Sequence, residues 1–446
     1  MTNVLIISLG TTPKPIINCI KSLRPDRVVF LCSSESQKMV DEVISEVALP
    51  DFSADRDLEV LQQSPAAKST QSIENELDQL DRVYLRVLKI FKRVRDESRH
   101  CQIIADYTGG TKTMTAGLAM AAIDDGEVRL NVTTGKREAA KTPSGHSTPS
   151  EVNTAAIHAR RLHNHELPLL LKRYDYEAAR QAVRRVYALP FSDSQNKQEL
   201  KRIEDRLFGL DAWDRFDHRE ALEIFQNLDD PDLRKAFVFP LKRIIASRRL
   251  LDKEAQEWPW MPGHGLEAVE DLLRNAERRA SQERYDDAVG RFYRAMELTE
   301  QLLLKKGVCK QVGMQGIETG SVKIDCLPAP IQEKWRFKAA SKTSDSQSIF
   351  KIGLTDGFDL LGDLGHPTGL AWQQQRKRLI NALSTRNNSL FAHGFKPVDY
   401  KGWKDFSGVL NPFLHEAIRQ HAATQSGKNS TFNALPQLPN DLSELP

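Results

Sequence analysis

Cysteine is scarce and unpaired in this chain, so neither a disulfide framework nor a thiolate metal cluster organises it. Cys19, Cys32, Cys101, Cys309 and Cys326 are odd in number and scattered, with no Cys-x-x-Cys pair among them, and read as buried thiols. Long hydrophobic runs are missing too. No stretch of eighteen apolar residues occurs, and the opening Met-Thr-Asn-Val-Leu-Ile-Ile-Ser has no basic n-region, so neither a membrane span nor a signal peptide is expected and a cytoplasmic location is. Charge of one sign is nearly balanced. A formal net charge of +3 excludes a wholesale nucleic-acid coat and leaves only local patches such as Arg376-Lys377-Arg378 to touch a phosphate backbone.

Two common phosphate loops are absent as well. Thr111 stands where a Walker A loop needs the glycine before Lys112, and the three spaced glycines of a dinucleotide fingerprint do not occur. No acidic cluster suited to a metal is present. His158, His163 and His165 lack a Cys or carboxylate at zinc spacing and read as surface histidines, so no metal and no cofactor are expected.

Against these absences, one stretch is rich in information. Cys101–Ala122 runs from a buried strand through Gly109-Gly110 into a helix of small residues opened by Thr111, Lys112 and Thr113. The glycines let backbone approach a ligand, and the free amides of a helix start favour an anion. The bland alternative is a plain helix cap in a sheet protein.

A chain of 446 residues suggests two or three domains. Val4–Leu9, Arg27–Cys32, Gln102–Ala105 and Val128–Val132 read as strands covered on both faces, alternating with helices at Ile16–Leu23, Gln37–Val47 and Asp81–Glu97. That order predicts an α/β Rossmann-like domain over 1–160. Its ligand edge lies beyond the strand ends, where Gly10, Thr11 and Thr12, then Ser33, then Asp106, Thr108, Gly109, Gly110, Thr111 and Lys112 converge. Lys136–Glu151 reads as a mobile loop. Beyond it the strand pattern stops, and 161–265 reads as a helical connecting region ending near Trp258–Gly265. A helical domain is expected over 266–423, with an amphipathic helix over Tyr285–Lys306 and another from about Leu370 to His393, and 424–446 is expected to be disordered.

Arg386 and His393 stand seven residues apart, close to two helical turns, which predicts one shared face, with Asn387 as an extra amide donor. Arginine and histidine suit cleavage of RNA through its own 2′-OH. An imidazole with a pKa near ~6.5 moves protons, while a guanidinium holds the nonbridging oxygens, and no metal is required. Spacing alone does not single the pair out, because Arg93 and His100 repeat it in a charge-dense stretch without an apolar stripe.

Together, Ser8-Leu-Gly-Thr-Thr12, Asp106-Tyr-Thr-Gly-Gly-Thr-Lys112 and Arg386-Asn-Asn-Ser-Leu-Phe-Ala-His393 resemble those of type III CRISPR-associated ribonucleases with an N-terminal CARF and a C-terminal HEPN domain. The resemblance implies an endoribonuclease in antiviral defence with Arg386, Asn387 and His393 catalytic. It implies a cyclic oligoadenylate bound across a homodimer by the strand-end residues, and single-stranded RNA as substrate. It further suggests that Thr11 or Thr12 serves in breaking the activator. Two other readings stay open: a non-catalytic sensor binding nucleic acid or a protein partner, and an enzyme using Asp106 and Lys112 at the first site.

Overall fold

The computed structural model describes residues 2–49, 51–61, 76–135, 147–259, 261–305, 320–340, 349–387, 389, 394–425 and 434–445. Runs of Val, Ile and Leu form most of the strands, which are β1 (Thr2–Leu9), β2 (Arg27–Ser33), β3 (Leu58–Leu61), β4 (Cys101–Asp106), β5 (Arg129–Gly135) and β6 (Ser147–Glu151). Helices α1 (Lys14–Leu23), α2 (Lys38–Val47), α3 (Ala54–Asp57), α4 (Leu80–Glu97) and α5 (Lys112–Asp125) connect them. The order across the sheet is β3-β2-β1-β4-β5-β6, parallel except for β6 against β5.

The period-two alternation of β1 explains why both faces are filled. Val4 and Ile6 join Val29, Leu31, Ile103 and Ala105 under α4 and α5, while Leu5, Ile7 and Leu9 join Phe30 and Cys32 under α1 and α2. Gly117 of α5 lets α4 come close, since a Cβ there would sit 2.6 Å from a Val83 methyl. Two strands escape the hydrophobic pattern. β3 is four residues long, and β6, Ser-Thr-Pro-Ser-Glu, falls in the stretch expected as a mobile loop. An antiparallel edge strand needs main-chain pairing more than apolar side chains, and it tolerates Pro149.

The chain divides into two compact units, 1–160 with 188–197, and 161–187 with 198–446. The middle helices and the C-terminal ones, expected as separate regions, share the second unit.

That unit repeats one hairpin. The helix pairs Leu167–Lys172 and Tyr176–Tyr187, Ser194–Asp214 and His218–Asn227, and Glu267–Ser281 and Tyr285–Leu303 each turn through a left-handed residue, Tyr174 (φ 52°), Phe216 (φ 64°) and Glu283 (φ 62°). In each turn the next amide reaches back to the carbonyl of Leu170, Ala212 or Arg279, a Schellman closure. Ala179, Ala221 and Ala288 follow at the same offset and are fully buried, as are Val183, Phe225 and Phe292 further along. Because no glycine marks these turns, sequence reasoning passed over the repeat.

The C-terminal helices Leu354–Asp363, Pro367–Asn387 and Tyr400–Gln425 close around stacked Phe358 and Trp372, with ring centroids 4.8 Å apart. The expectation of a disordered 424–446 is corrected in part. Residues 434–445 are laid down in order: Leu435 and Leu438 are 2% exposed, the Leu435 amide donates to Glu270 at 2.9 Å, and Tyr176 donates to the Pro439 carbonyl at 2.7 Å. Two buried leucines three residues apart in sequence and these two hydrogen bonds anchor a chain already stiffened by prolines.

One buried group in this unit has a measurable consequence. Glu300 is 2% exposed, and its Oε2 has no partner among the described residues. Burial, reinforced by Glu297 and opposed by Arg294, pushes its carboxyl well above the usual carboxylate range. A raised folded-state pKa means that stability is fully present below the unfolded carboxyl's value of about 4.3 and is lost as pH rises toward the folded value. Glu300→Gln is expected to flatten that decline and to be the more stable protein at pH 8, as read from denaturant midpoints at pH 5 and pH 8. An identical pH slope in the two proteins would rule it out.

Candidate functional site

Adjacent β1 and β4 send their chains to opposite sides of the sheet, so the loops following them face each other across a switch point. These loops are in backbone contact. A Cβ on Gly10 would lie 2.9 Å from the Gly110 amide nitrogen, and one on Gly109 would lie 2.6 Å from the Ser8 carbonyl. Gly110 also holds φ +96°, which disfavours any side chain. Glycine is required at all three positions by contact or conformation.

Around this crossing the hydroxyls divide by role. Thr11 and Thr12 are exposed, as is Lys112 in the first turn of α5. Thr111 caps α5, its hydroxyl accepting the Met114 amide at 3.2 Å. Buried Ser8 donates its hydroxyl to the Gly109 carbonyl and ties the two loops together. Lys14, which ends the segment Gly10-Thr-Thr-Pro-Lys14 after β1, is exposed at the start of α1 and adds a second ammonium next to Thr11 and Thr12 in the chain.

Three of the residues expected to contact a ligand make hydrogen bonds within the protein. Asp106 is fully buried, and its carboxylate accepts from Asn131 (2.6 Å), Thr133 (3.2 Å), the Cys19 thiol (3.3 Å) and the Thr108 amide (2.9 Å). A carboxylate so buried and so bonded holds the loop in place. It also marks Cys19 as structural, since burial and then the Asp106 charge push that thiol far above its ordinary range. The Thr108 hydroxyl accepts the Thr133 amide at 2.6 Å and pins the glycine loop to β5. Ser33 shares a 3.0 Å hydrogen bond with Ser36 and closes the turn after β2. Asn131 and Thr133 were invisible as partners in the sequence because they lie in β5, far along the chain.

The second set of residues lies in the other unit. Arg386 is half-buried near the end of Pro367–Asn387, its guanidinium 4.4 Å from the ring centroid of Tyr293 on the Tyr285–Leu303 helix. A planar cation on an aromatic face is held in one orientation while its edge N–H groups stay available. Burial and Glu297 raise the Tyr293 phenol above its ordinary value, with Arg386 opposing. The phenol is therefore neutral at physiological pH.

The helix was expected to continue to His393, and it does not. It ends at Asn387, and buried Ser389 closes it, amide and hydroxyl both donating to the Arg386 carbonyl at 3.0 and 2.7 Å. Asn and Ser compete for backbone groups and end helices readily. The one-face argument from two helical turns therefore fails. His393 itself lies outside the described residues, as does the side chain of Asn387. Beneath the helix, Leu379 and Leu383 are both buried.

Residues 262–416 match the Csm6 HEPN domain family, a span that includes Arg386, Tyr293 and His393. No curated protein matches in sequence. Among solved structures, Enterococcus italicus Csm6 bound to cyclic hexa-2′-fluoro-hexa-dAMP shares the fold, with a TM-score of 0.57 at 13% identity over 95% of this chain and 94% of that one. The likeness therefore spans the sheet unit as well as the helical one. The part of the chain that matches the Csm6 HEPN domain family thus follows, in sequence, an α/β sheet whose glycine loops meet at its switch point.

Proposed function

We propose that the protein is an endoribonuclease switched on by a cyclic oligoadenylate in type III CRISPR defence. The observation that carries this reading is Arg386, stacked on Tyr293 inside the Csm6-type HEPN span of a chain whose other unit has glycine loops in backbone contact at a switch point. An adenylate ring offers phosphates to the first-turn amides of α5, to Lys112 and to Lys14, and ribose hydroxyls to Thr11 and Thr12. Gly10, Gly109 and Gly110 allow its backbone to come close. The solved Csm6 relative holds such a cyclic nucleotide.

At the second site the RNA 2′-oxygen attacks its own phosphorus. The 2′-O–P bond forms as the P–O5′ bond breaks, leaving a 2′,3′-cyclic phosphate and a 5′-hydroxyl. The 2′ proton passes to one imidazole, another protonates the departing 5′-oxygen, and Arg386 holds the nonbridging oxygens as their charge grows. One chain brings a single His393, so acid and base come most simply from two protomers. A homodimer also matches a symmetric ring. This chemistry needs no metal, and a cytoplasmic enzyme acting on single-stranded RNA fits it. Thr11 or Thr12 is suited to orient a ribose hydroxyl of the ring itself, which would give the switch a timer.

The test is a fluorescent single-stranded RNA incubated with protein in EDTA, with cyclic tetra-adenylate and cyclic hexa-adenylate added separately. One of the two is expected to release products ending in 2′,3′-cyclic phosphate. Binding of either ring with no cutting at any dose would leave the non-catalytic sensor as the better reading. The ring recovered intact after long incubation with excess protein would remove the timer alone.

A further inference from the structure

From Leu364 to Val398 the sequence has no Asp or Glu, although the chain as a whole carries 60 of them. Arg376, Lys377, Arg378, Arg386 and Lys396 all fall in that stretch. Arg376 is committed elsewhere, as a two-pronged pair with Asp359 at 2.9 and 3.0 Å. Burial would raise the Asp359 carboxyl, but the hydrogen bonds from Arg376 and Trp372 outweigh it and hold it below the usual range. Lys377 and Arg378 are exposed and have no carboxylate partner among the described residues.

These two cations border a groove of about 690 Å³ between the Pro367–Asn387 and Tyr400–Gln425 helices, with Asn381 and Thr385 further along the same helix and Asp405 opposite. The spacing 377, 378, 381, 385 keeps one helix face, and the next residue is Arg386. Arg378 and Arg386 are about 12 Å apart along the axis at about 1.5 Å per residue, which is room for a few nucleotides. At the far side, the Gly394 amide donates to the Ser389 carbonyl at 3.2 Å, and Ser389 is itself bonded to the Arg386 carbonyl. These three hydrogen bonds bring the chain back to the helix end just before Phe395, which is 92% exposed. A cationic track beside a bare aromatic ring is the pairing that single-stranded nucleic acid requires.

We propose that this face is the RNA lane of the nuclease: Lys377 and Arg378, helped by Asn381 and Thr385, hold backbone phosphates on one side of Arg386, and Phe395 stacks a base on the other. The proposal rests on the nuclease reading above, and it assigns positioning residues, not catalytic ones.

The test measures binding of a fluorescent single-stranded RNA to activator-loaded protein carrying Arg386→Ala, so that substrate persists, with turnover measured in the Arg386 parent. Adding Lys377→Ala with Arg378→Ala should weaken binding about tenfold or more and make the slope of log K against log salt shallower by about 1.4, at about 0.7 per phosphate contact. Phe395→Ala should weaken binding about tenfold with the salt slope unchanged, and Phe395→Trp should restore it. In the parent, these losses should appear in KM far more than in kcat. An unchanged salt slope, or a tryptophan no better than alanine, overturns the lane. So does a change in molar mass by light scattering, which would make the face a contact between copies of the chain. Wild-type protein that binds RNA along this face without cutting it would sink the nuclease reading instead, and the two failures are separate.

Discussion

Arg386→Ala is expected to lower single-turnover cleavage of RNA by about 10²–10³, the cost of deleting one preorganised donor to developing charge, with activator affinity unchanged. Two features make the loss specific. The guanidinium lies 4.4 Å from the Tyr293 ring centroid, which fixes its plane before substrate arrives, and the helix carrying it is closed at its last turn by Ser389. Arg386→Lys keeps the charge but loses the fork, and should recover only a minor part of the rate. Tyr293→Phe keeps the ring face and should be nearly silent, whereas Tyr293→Leu removes the platform and should slow cleavage without removing any group that touches RNA. Rate and RNA affinity measured together decide the matter. If Arg386→Ala lost affinity alone and kept its rate at saturating RNA, the guanidinium would be a binding residue and the proposed chemistry would lack its charge-stabilising group.

The fold was legible where the period of the sequence was strong. The four long parallel strands and the helices between them follow from runs of Val, Ile and Leu buried on both faces, and Gly109-Gly110 announced the turn at the end of β4. What escaped had no periodic signal. β6 has no apolar alternation and is held by main-chain pairing with β5 and by polar side chains such as Glu151 with Arg129, the hairpin turns at Tyr174, Phe216 and Glu283 use left-handed residues that are not glycine, and the 434–445 segment looks disordered by composition until Glu270 takes the Leu435 amide. The site was legible in kind but not in role. Sequence position placed Asp106 at the ligand edge, and only the fold, by bringing Asn131 and Thr133 of β5 and Cys19 of α1 to its carboxylate, reveals that it faces inward. Arg386 emerged from spacing and context, yet the helix presumed to carry it on to His393 stops at Asn387, because local Asn and Ser chemistry overrides a spacing argument.

Gly109→Ala should be a damaging small change in the sheet unit. Its Cβ would stand 2.6 Å from the Ser8 carbonyl and 3.2 Å from the Gly10 amide nitrogen, both backbone atoms unable to swing aside like a side chain. Overpacking of this kind costs about 1–3 kcal/mol. Where that cost appears reports how the switch is built. If the β1 and β4 loops are rigid in the free protein, the strain is present before and after binding, so the melting temperature falls and activator affinity hardly moves. If the β4 loop relaxes away in the free protein and must return to hold the ring, the same strain is charged to binding, and affinity drops about 5- to 150-fold with little change in melting. Ser8 is anchored inside the core and donates to the Gly109 carbonyl, whereas Thr11 and Thr12 are exposed. The strain should therefore be relieved by movement of the glycine loop, against the hold of Asp106 on the Thr108 amide. Calorimetric melting and activator titration on Gly109→Ala, with Asp106→Asn as a partner variant, separate the cases. In the relaxing loop, weakening the Asp106 anchor lets the strain out more easily, so the double variant should melt higher than additivity predicts. Strict additivity in both melting and affinity would place the strain in the sheet and make the loop a fixed part of the pocket.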